Sequence, residues 1–302
     1  DKLTISSSGV VTGVLDGTTT VTYTDGNNCS VSVNFTVHGL PTVSAGADQS
    51  ICSGTSVSLS ATVGTGTSFS WNNSVQNNVA FSPTSTNTYT VVGVDGNGCI
   101  ATDEVQVTVL PLPTISGGST VCVDATITLT GSGSPSTSTP WESSDPAVAS
   151  VSSNGVVTGK TGGTATITYN DANGCEQTHD VTVNALPAVN AGTDYTICEG
   201  NQTSLSGGGA NSYVWDNGVT NGALFTPTTT NVYTVTGTNS NNCSNTDQIT
   251  ITVTPVPTIS GLSSVCEGED ISLSVDLSGG TWDSDDDGVA TVSASGVVTG
   301  VG

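Results

Sequence analysis

Positive charge is almost absent from this sequence. Its 302 residues contain 2 Lys or Arg against 25 Asp or Glu, which gives a formal net charge of −23. Such a surface repels phosphate backbones and anionic lipid headgroups, so we expect no binding to nucleic acids. No Arg is present, and Lys2 and Lys160 are the only sites for trypsin-like proteases. This composition suits a protein exposed outside a cell.

Groups for catalysis and segments for membrane insertion are also scarce. The only histidines are His38 and His179, and no Gly-rich phosphate loop opens a helix. We therefore expect no catalytic residues, no enzyme activity and no bound cofactor other than calcium. No apolar run approaches the roughly 18 residues of a membrane span, and no helical apolar stripe occurs. No membrane insertion is expected in this segment.

Strand patterns fill the chain instead. TVTYT (20–24), SVSLSATV (56–63) and TATITY (164–169) alternate apolar with polar residues. A period of two is typical of half-buried β-strands, so the sequence predicts an all-β fold.

The strands belong to a repeat. SSSGVVTG (6–13) returns as SSNGVVTG (152–159) and SASGVVTG (293–300), with starts 146 and 141 residues apart. Such periodicity predicts a section of a longer array. Pro41, Pro113, Pro187 and Pro257 mark junctions 72, 74 and 70 residues apart, which is the size of a small sandwich domain.

Two kinds of domain alternate. Residues 41–110 and 187–254 share AGxD, then IC, a strand ending in Trp, and FxPT. They resemble PKD-like and gliding-associated Ig-like repeats of Bacteroidota surface proteins. Residues 111–186 carry WESSDPAVASVSSNGVVTG followed by GGTATITYNDANGC. They resemble the bacterial Ig-like group 2 repeat, of which 1–40 is the C-terminal half and 255–302 the N-terminal part. The resemblance implies a linear tandem array of Ig-like β-sandwich domains.

Each domain needs its own small core, which explains why GVVTG recurs. Gly155 and Gly159 are expected to adopt backbone angles that a side chain would forbid, while Val156 or Val157 faces the core. One Trp per domain is expected to anchor that core. These residues are Trp71, Trp141, Trp215 and Trp282.

Eight cysteines without metal-ligand clustering indicate disulfides and an oxidising, extracellular setting. In an Ig-like sandwich, the Cys after the first strand lies at the exit pole, and the Cys beside the last hairpin lies at the entry pole. This topology predicts bonds between adjacent domains, Cys52–Cys175 and Cys122–Cys243. Cys29, Cys99, Cys198 and Cys266 would then pair with neighbouring domains or with residues outside this segment. The sequence leaves open the alternative within domains, Cys52–Cys99, Cys122–Cys175 and Cys198–Cys243.

One acidic stretch has the spacing of a calcium loop. In DSDDDG (283–288), Asp283, Asp285 and Asp287 alternate before Gly288. The position of the bidentate Glu is Ala294, and the equivalent ESSDPA (142–147) lacks the pattern. The stretch is therefore either a calcium site or an acidic variant of the SSDP segment.

The function predicted from these features is mechanical. We expect a stiff stalk or fibre of a secreted filament or cell-surface adhesin, similar to the large gliding adhesins, whose resemblance implies type IX export. Its partners would be neighbouring repeats, a surface or glycan ligand, and further chains paired through edge strands such as ITITVT (249–254). The alternatives are a multivalent glycan- or calcium-binding array and a non-catalytic accessory region of an exported enzyme.

Overall fold

The computed structural model describes all residues 1–302. It consists of strands and turns, and it has no helix long and apolar enough to cross a membrane. The predicted fold class is confirmed: the chain is all-β, a tandem array of Ig-like β-sandwich domains. Its contacts divide it into two compact units, Asp1–Val183 and Asn184–Gly302.

Residues 1–40 form two antiparallel hairpins, in which the first strand pairs with the second and the third with the fourth. These strands are β1 (Leu3–Ile5), β2 (Val11–Gly13), β3 (Gly17–Thr24) and β4 (Ser30–Val37). No residue of this segment is buried. The strands therefore form by local pairing, without a core of their own.

Residues 41–110 form a sandwich around a compact core. The strands are β5 (Val43–Ser44), β6 (Gln49–Cys52), β7 (Val57–Ser58), β8 (Thr62–Val63), β9 (Ser68–Trp71), β10 (Ala80–Phe81), β11 (Asn87–Val94) and β12 (Ile100–Leu110). The main sheet has the order β6-β12-β11-β9, and β7 pairs with β10 in a separate two-stranded sheet. In β11, alternate residues from Tyr89 onward are buried, as the period-two pattern predicts.

Residues 111–186 build the second kind of sandwich. The strands are β13 (Ile115–Ser116), β14 (Thr120–Cys122), β15 (Thr126–Thr128), β16 (Thr130–Gly131), β17 (Trp141–Ser143), β18 (Ala149–Val151), β19 (Val156–Gly159), β20 (Gly163–Asn170) and β21 (Glu176–Asn184). The sheet β14-β21-β20-β17 and the sheet β15-β19-β18 enclose the core. Hairpin β20–β21 supplies four of its buried residues, Ala165, Ile167, Val181 and Val183.

The GVVTG motif lies in β19 and the turn before it. Val157 is fully buried and Val156 is exposed. Gly155 has φ +77, as expected, and a Cβ there would lie 2.3 Å from the Leu129 carbonyl oxygen. Gly159 does not have the backbone angle that we expected. Its φ is not positive; a side chain is excluded because a Cβ would lie 2.6 Å from the Cys122 carbonyl oxygen.

Residues 187–254 repeat the sandwich of 41–110. The strands are β22 (Tyr195–Cys198), β23 (Thr203–Ser204), β24 (Ser212–Trp215), β25 (Leu224–Phe225), β26 (Asn231–Thr238) and β27 (Ser244–Thr254). The main sheet has the order β22-β27-β26-β24. ITITVT lies in β27, between two partners, so the expectation that it is an edge strand was wrong.

Residues 255–302 form only part of a sandwich. The strands are β28 (Ile259–Ser260), β29 (Asp270–Ser272), β30 (Ser274–Val275), β31 (Ala290–Val292) and β32 (Val297–Gly300). Sheet β29-β32-β31 has the same order and antiparallel pairing as β15-β19-β18. No strands here correspond to β14 or β17, and Trp282 is only half-buried.

The four tryptophans differ in burial. Trp71 and Trp215 are 8% and 5% exposed and belong to the cores of 41–110 and 187–254. Trp141 is half-buried against the core of its domain, with its ring centroid 4.7 Å from that of Tyr169. In the other kind of domain, the FxPT phenylalanine replaces this contact: the rings of Phe81 and Tyr89 are 5.1 Å apart.

Candidate functional site at a domain junction

Every cysteine hairpin is built on one polar side chain four residues before the cysteine. In the hairpin between β20 and β21, Asp171 Oδ1 accepts hydrogen bonds from the backbone N–H of Asn173 (2.9 Å) and Cys175 (2.8 Å). Gly174 closes the turn with φ +79. The turn therefore fixes the backbone that carries the Cys175 sulfur.

The same hydrogen bond recurs in the other three hairpins. Its acceptors are Asp25, Asp95 and Asn239, and its donors are the N–H groups of Cys29, Cys99 and Cys243 at 2.9, 2.9 and 3.0 Å. The spacing of an Asp or Asn four residues before each of these cysteines is visible in the sequence, but sequence reasoning missed this role of the first residue.

Donation by these N–H groups stabilises the charged carboxylates. The Cys175 N–H, and then that of Asn173, hold the pKa of Asp171 below its ordinary value. The Cys99 N–H does the same for the pKa of Asp95. Both aspartates are therefore charged near neutral pH, and the hairpins keep their hydrogen bonds there.

The other kind of cysteine lies at the opposite pole of its domain. Strand β6 runs parallel to the last strand, β12, with Cys52 opposite Leu110. The Ser53 N–H donates to the Leu110 carbonyl at 2.8 Å, which anchors the turn after Cys52. Cys52 thus lies where the chain leaves domain 41–110, as the topology argument predicted.

The AGxD motif braces this sandwich and has no separate chemistry. Asp103 Oδ2 accepts from the Ala45 N–H at 2.8 Å, and Asp48 Oδ1 accepts from the Gln106 N–H at 2.8 Å. The Ala45 N–H, and then that of Glu104, lower the pKa of Asp103. The N-terminal segment of the domain is thereby tied to β12. The second copy has the same two bonds at 2.8 and 2.7 Å, from the N–H groups of Ala191 and Thr250 to Asp247 and Asp194.

The two poles are joined by a covalent bond. Cys52 and Cys175 form a disulfide with a Cα–Cα distance of 5.6 Å, across 123 residues of sequence. This disulfide links domain 41–110 to domain 111–186. At this junction, the cysteines therefore pair between adjacent domains.

The connectivity within domains was wrong. Cys52 cannot bond Cys99, nor Cys122 bond Cys175, because Cys52 and Cys175 bond each other. Cys198 is a free thiol, which excludes Cys198–Cys243. The physical reason is strand direction: the first strand carries its cysteine away from the hairpin pole of the same domain. The pair Cys122–Cys243 stays a prediction.

Four thiols are free: Cys29, Cys99, Cys198 and Cys266. Cys29, Cys198 and Cys266 are exposed and Cys99 is partly exposed. Cys99 Sγ lies 3.9 Å from the His38 carbonyl oxygen, at the linker that enters its domain. Cys29 and Cys99 lie on hairpins, whereas Cys198 and Cys266 lie in the position of Cys52, after a first strand.

Linker segments are held by the hairpin at the entry pole. In domain 187–254, Asn239 Nδ2 donates to the Ala185 carbonyl at 3.0 Å, and Asn245 Nδ2 donates to the Pro187 carbonyl at 3.2 Å. These bonds fix the chain as it enters the domain.

The structure does not bring the three predicted calcium ligands together. No group of three or more His, Cys, Asp or Glu side chains is arranged to hold a metal, so Asp283, Asp285 and Asp287 do not form a site. The stretch folds as the SSDP turn does. Ser284 Oγ donates to the Ala290 carbonyl at 2.6 Å, just as Ser143 Oγ donates to that of Ala149. The alternating carboxylates of this bend and turn do not converge.

The histidines do not form a catalytic group either. His179 Nε2 is buried and has no hydrogen-bond partner. It lines a shallow cleft of about 440 Å³ with Leu112 and Pro113, where the linker enters the domain. No nucleophile lines this cleft together with an acidic residue.

The comparisons with known proteins agree with this fold. Residues 106–183 match the model of the bacterial Ig-like domain (group 2), which covers the central domain. The chain therefore consists of tandem Ig-like repeats, one of them of group 2 type. The PKD-like type of 41–110 and 187–254 stays a prediction. No curated protein matches the chain.

Solved structures with several Ig-like or surface-layer domains are similar to it. An I-band fragment of titin is 12% identical, with a TM-score of 0.34, over 72% of this chain and 100% of that one. Eight N-terminal Ig domains of Down Syndrome Cell Adhesion Molecule are 14% identical, with a TM-score of 0.25, over 100% and 57%. The S-layer protein SbsC is 15% identical, with a TM-score of 0.25, over 99% and 52%. Likeness at this level concerns the fold alone.

Proposed function

We propose that this chain is a structural segment of an extracellular filament or cell-surface adhesin. Its Ig-like domains, at 41–110, 111–186 and 187–254 with partial domains at both ends, follow one another end to end as a stiff stalk. The neighbouring repeats of the same chain are its principal partners. The segment has a mechanical role and carries no catalytic residues.

The observation that carries this proposal is the Cys52–Cys175 bond. A short Pro linker already joins the two domains. The disulfide adds a second connection between them, from Cys52, about 60 residues before the linker, to Cys175, about 60 residues after it. Two connections at separate points on the poles restrict bending and twisting, which a single linker permits. Cys122–Cys243 would repeat this device at the next junction.

The setting follows from the same bond. Disulfides persist in secreted and surface-exposed proteins, where the surroundings are oxidising. A net charge of −23 keeps a long array soluble there and disfavours lateral collapse. The assignment to a Bacteroidota gliding adhesin or related filament, exported by the type IX system, rests on the motif resemblance alone.

Small-angle X-ray scattering of the chain, with and without reductant, tests the stiff stalk. We expect the oxidised chain to scatter as a rod of ~35–40 Å per domain, from the rise of its strands. Reduction should shorten the mean length and broaden the distance distribution, because the linkers alone then hold the domains.

The double variant Cys52→Ser/Cys175→Ser is the matched test of one junction, and Cys99→Ser, at a free thiol, is its control. The double variant should be more flexible under oxidising conditions, whereas the control should scatter like the parent chain. A floppy profile for the oxidised parent chain would overturn the proposal.

A further inference from the structure

The Cys52–Cys175 disulfide joins two points that are close in space but distant along the chain. Their Cα atoms are 5.6 Å apart, whereas their sequence separation is 123 residues. The residues between them make up most of domain 41–110 and most of domain 111–186. We propose that tension along the stalk is carried by this disulfide and by one strand on either side of it, so that the cores of both domains bear no load. This inference rests on the proposed function, since it concerns a stalk under tension.

Tension reaches the disulfide through a strand that is already extended. A pull on the chain before domain 41–110 passes along β6 from its first residue to its last, which is Cys52. A β-strand rises 3.2–3.4 Å per residue, close to the limit of ~3.3–3.6 Å for a fully extended chain. Strand β6 therefore gains little length under load. Only the entry segment 41–48 can straighten.

The load leaves the disulfide in the same way. Cys175 directly precedes β21, the last strand of domain 111–186. The load passes along β21 from end to end and continues into the next linker. Val181 and Val183 of this strand are buried in the core. The core therefore stays attached to the loaded strand without carrying the load itself.

Without the disulfide, the same pull would act across the sheets. The load would enter domain 41–110 through β6 and leave it through the end of β12. These strands are parallel neighbours, with Cys52 opposite Leu110. Opposite pulls on parallel neighbours slide one strand along the other, so the hydrogen bonds between them would have to resist the load. Domain 111–186 would also be loaded between neighbouring strands, because β14 lies beside β21 in its main sheet.

The surroundings of the disulfide suit a permanent connection. Cys175 is fully buried and Cys52 is half-buried. Reduction by a thiol requires attack on one of the two sulfur atoms, so burial slows it. The turns on both sides are held by backbone N–H groups: that of Cys175 donates to Asp171 and that of Ser53 to Leu110, both at 2.8 Å. Both points of attachment are thus fixed before any load is applied.

This arrangement limits how far the stalk can lengthen. While the disulfide is intact, unfolding of the residues between Cys52 and Cys175 releases no length, because the S–S bond holds the two ends of that loop together. At ~3.3–3.6 Å per residue, a separation of 123 residues corresponds to roughly 400–440 Å of chain that cannot be drawn out. Both domains can therefore unfold and refold without a change in the length of the stalk.

Stretching single molecules of the chain between handles at its two ends measures this hidden length. Cys122 and Cys243 are replaced by Ser in every molecule, so that a bond between them hides no further length. In that background, the intact Cys52–Cys175 pair is compared with Cys52→Ser/Cys175→Ser under oxidising conditions. The fully stretched variant should be longer by roughly 400–440 Å. This result does not depend on whether the variant folds, because the length is measured after all domains have unfolded.

Domain 187–254 provides a reference within each molecule. It repeats the sandwich of 41–110, and in this background it contains only the free thiol of Cys198. It should unfold in one step of about 200 Å, the stretched length of its residues less its folded length. The bonded chain should show no such step from 41–110 or 111–186, whereas the Ser variant should show one from each. Cys99→Ser, at a free thiol, is the control and should leave the pattern of the bonded chain unchanged.

Unfolding steps from domains 41–110 and 111–186 in the bonded chain would contradict this load path, and so would equal stretched lengths of the two chains. A peptide map of the oxidised chain without a fragment that joins Cys52 to Cys175 would also refute it. The scattering test is made without load and gives a separate answer. A stiff chain that releases its full length would refute the load path alone, whereas a floppy chain with the length still hidden would refute the stiff stalk alone.

Discussion

The complete domain 111–186 and the partial domain 255–302 share one sequence pattern but differ in burial. Leu129 is 1% exposed and belongs to a core of eight buried residues, whereas its counterpart Leu273 is only half-buried. Both residues nonetheless make the same backbone bond, of 2.8 Å, from their N–H to the Gly155 and Gly296 carbonyls.

This difference separates two levels of structure. Turn geometry and strand pairing are alike in the two regions, because β29-β32-β31 has the same order as β15-β19-β18. The core requires hairpin β20–β21, which comes last in the domain. The cysteine on that hairpin also forms the disulfide to the neighbouring domain. The same hairpin therefore completes the core and links the two domains.

Removing the disulfide tests how much the hairpin depends on its covalent connection. A bond that closes a loop of 123 residues stabilises by as much as about 5 kcal/mol in the chain-entropy model. We expect Cys52→Ser/Cys175→Ser to lower the free energy of unfolding of the linked domains by up to that amount, measured by denaturant titration under oxidising conditions. Cys99→Ser is the control. Equal midpoints for all three chains would show that the core alone holds the hairpin.

Paired truncations in the two regions compare a closed core with an open one. Leu129→Ala should cost about 2–5 kcal/mol, because the cavity is enclosed on all sides. Leu273→Ala should cost about 1 kcal/mol, since its side chain is already partly in water. Hydrogen exchange followed by mass spectrometry reports each segment separately. Equal losses of protection in the two segments would contradict the difference between a closed and an open core.

Glycine substitutions in the repeated motif distinguish backbone strain from crowding. Gly155 and Gly9 both have positive φ, at +77 and +82, but only at Gly155 would an added Cβ meet other atoms within 4 Å. Gly9→Ala should therefore cost only the left-handed penalty of about 1–2 kcal/mol. Gly155→Ala should cost about 2–4 kcal/mol, because the Leu129 carbonyl must also move. Thermal unfolding of the two variants provides the measurement, and equal losses would assign the whole effect to φ.

Much of this architecture could be predicted from the sequence, because it depends on local rules. Alternation predicted the strands, and the direction of the first strand placed Cys52 at the pole away from Cys99. Gly155 was recognisable as a turn residue. These features depend on chain direction and backbone angles, both of which are properties of short segments.

Features that depend on contacts between distant segments could not be predicted in this way. Gly159 is required by the approach of the Cys122 carbonyl, nearly 40 residues away. ITITVT gave no sign of its second partner, β22. The spacing of Asp283, Asp285 and Asp287 resembled a calcium loop, but spacing does not decide whether carboxylates converge. The Asp or Asn at the start of each cysteine hairpin was a local signal that could have been found.

The smallest expected effect concerns that aspartate, on the hairpin that the partial domain lacks. The pKa of Asp171 is lowered in the folded state. Its charge therefore stabilises the hairpin at pH values above about 3.8, the pKa of the unfolded chain. That contribution is lost as the pH falls through the lower folded pKa. Asp171→Asn should fold, because Asn239 makes the same turn in domain 187–254. Its melting temperature should fall less steeply than that of the parent chain below pH 4, and parallel curves for the two chains would show that the carboxylate charge contributes nothing to the hairpin.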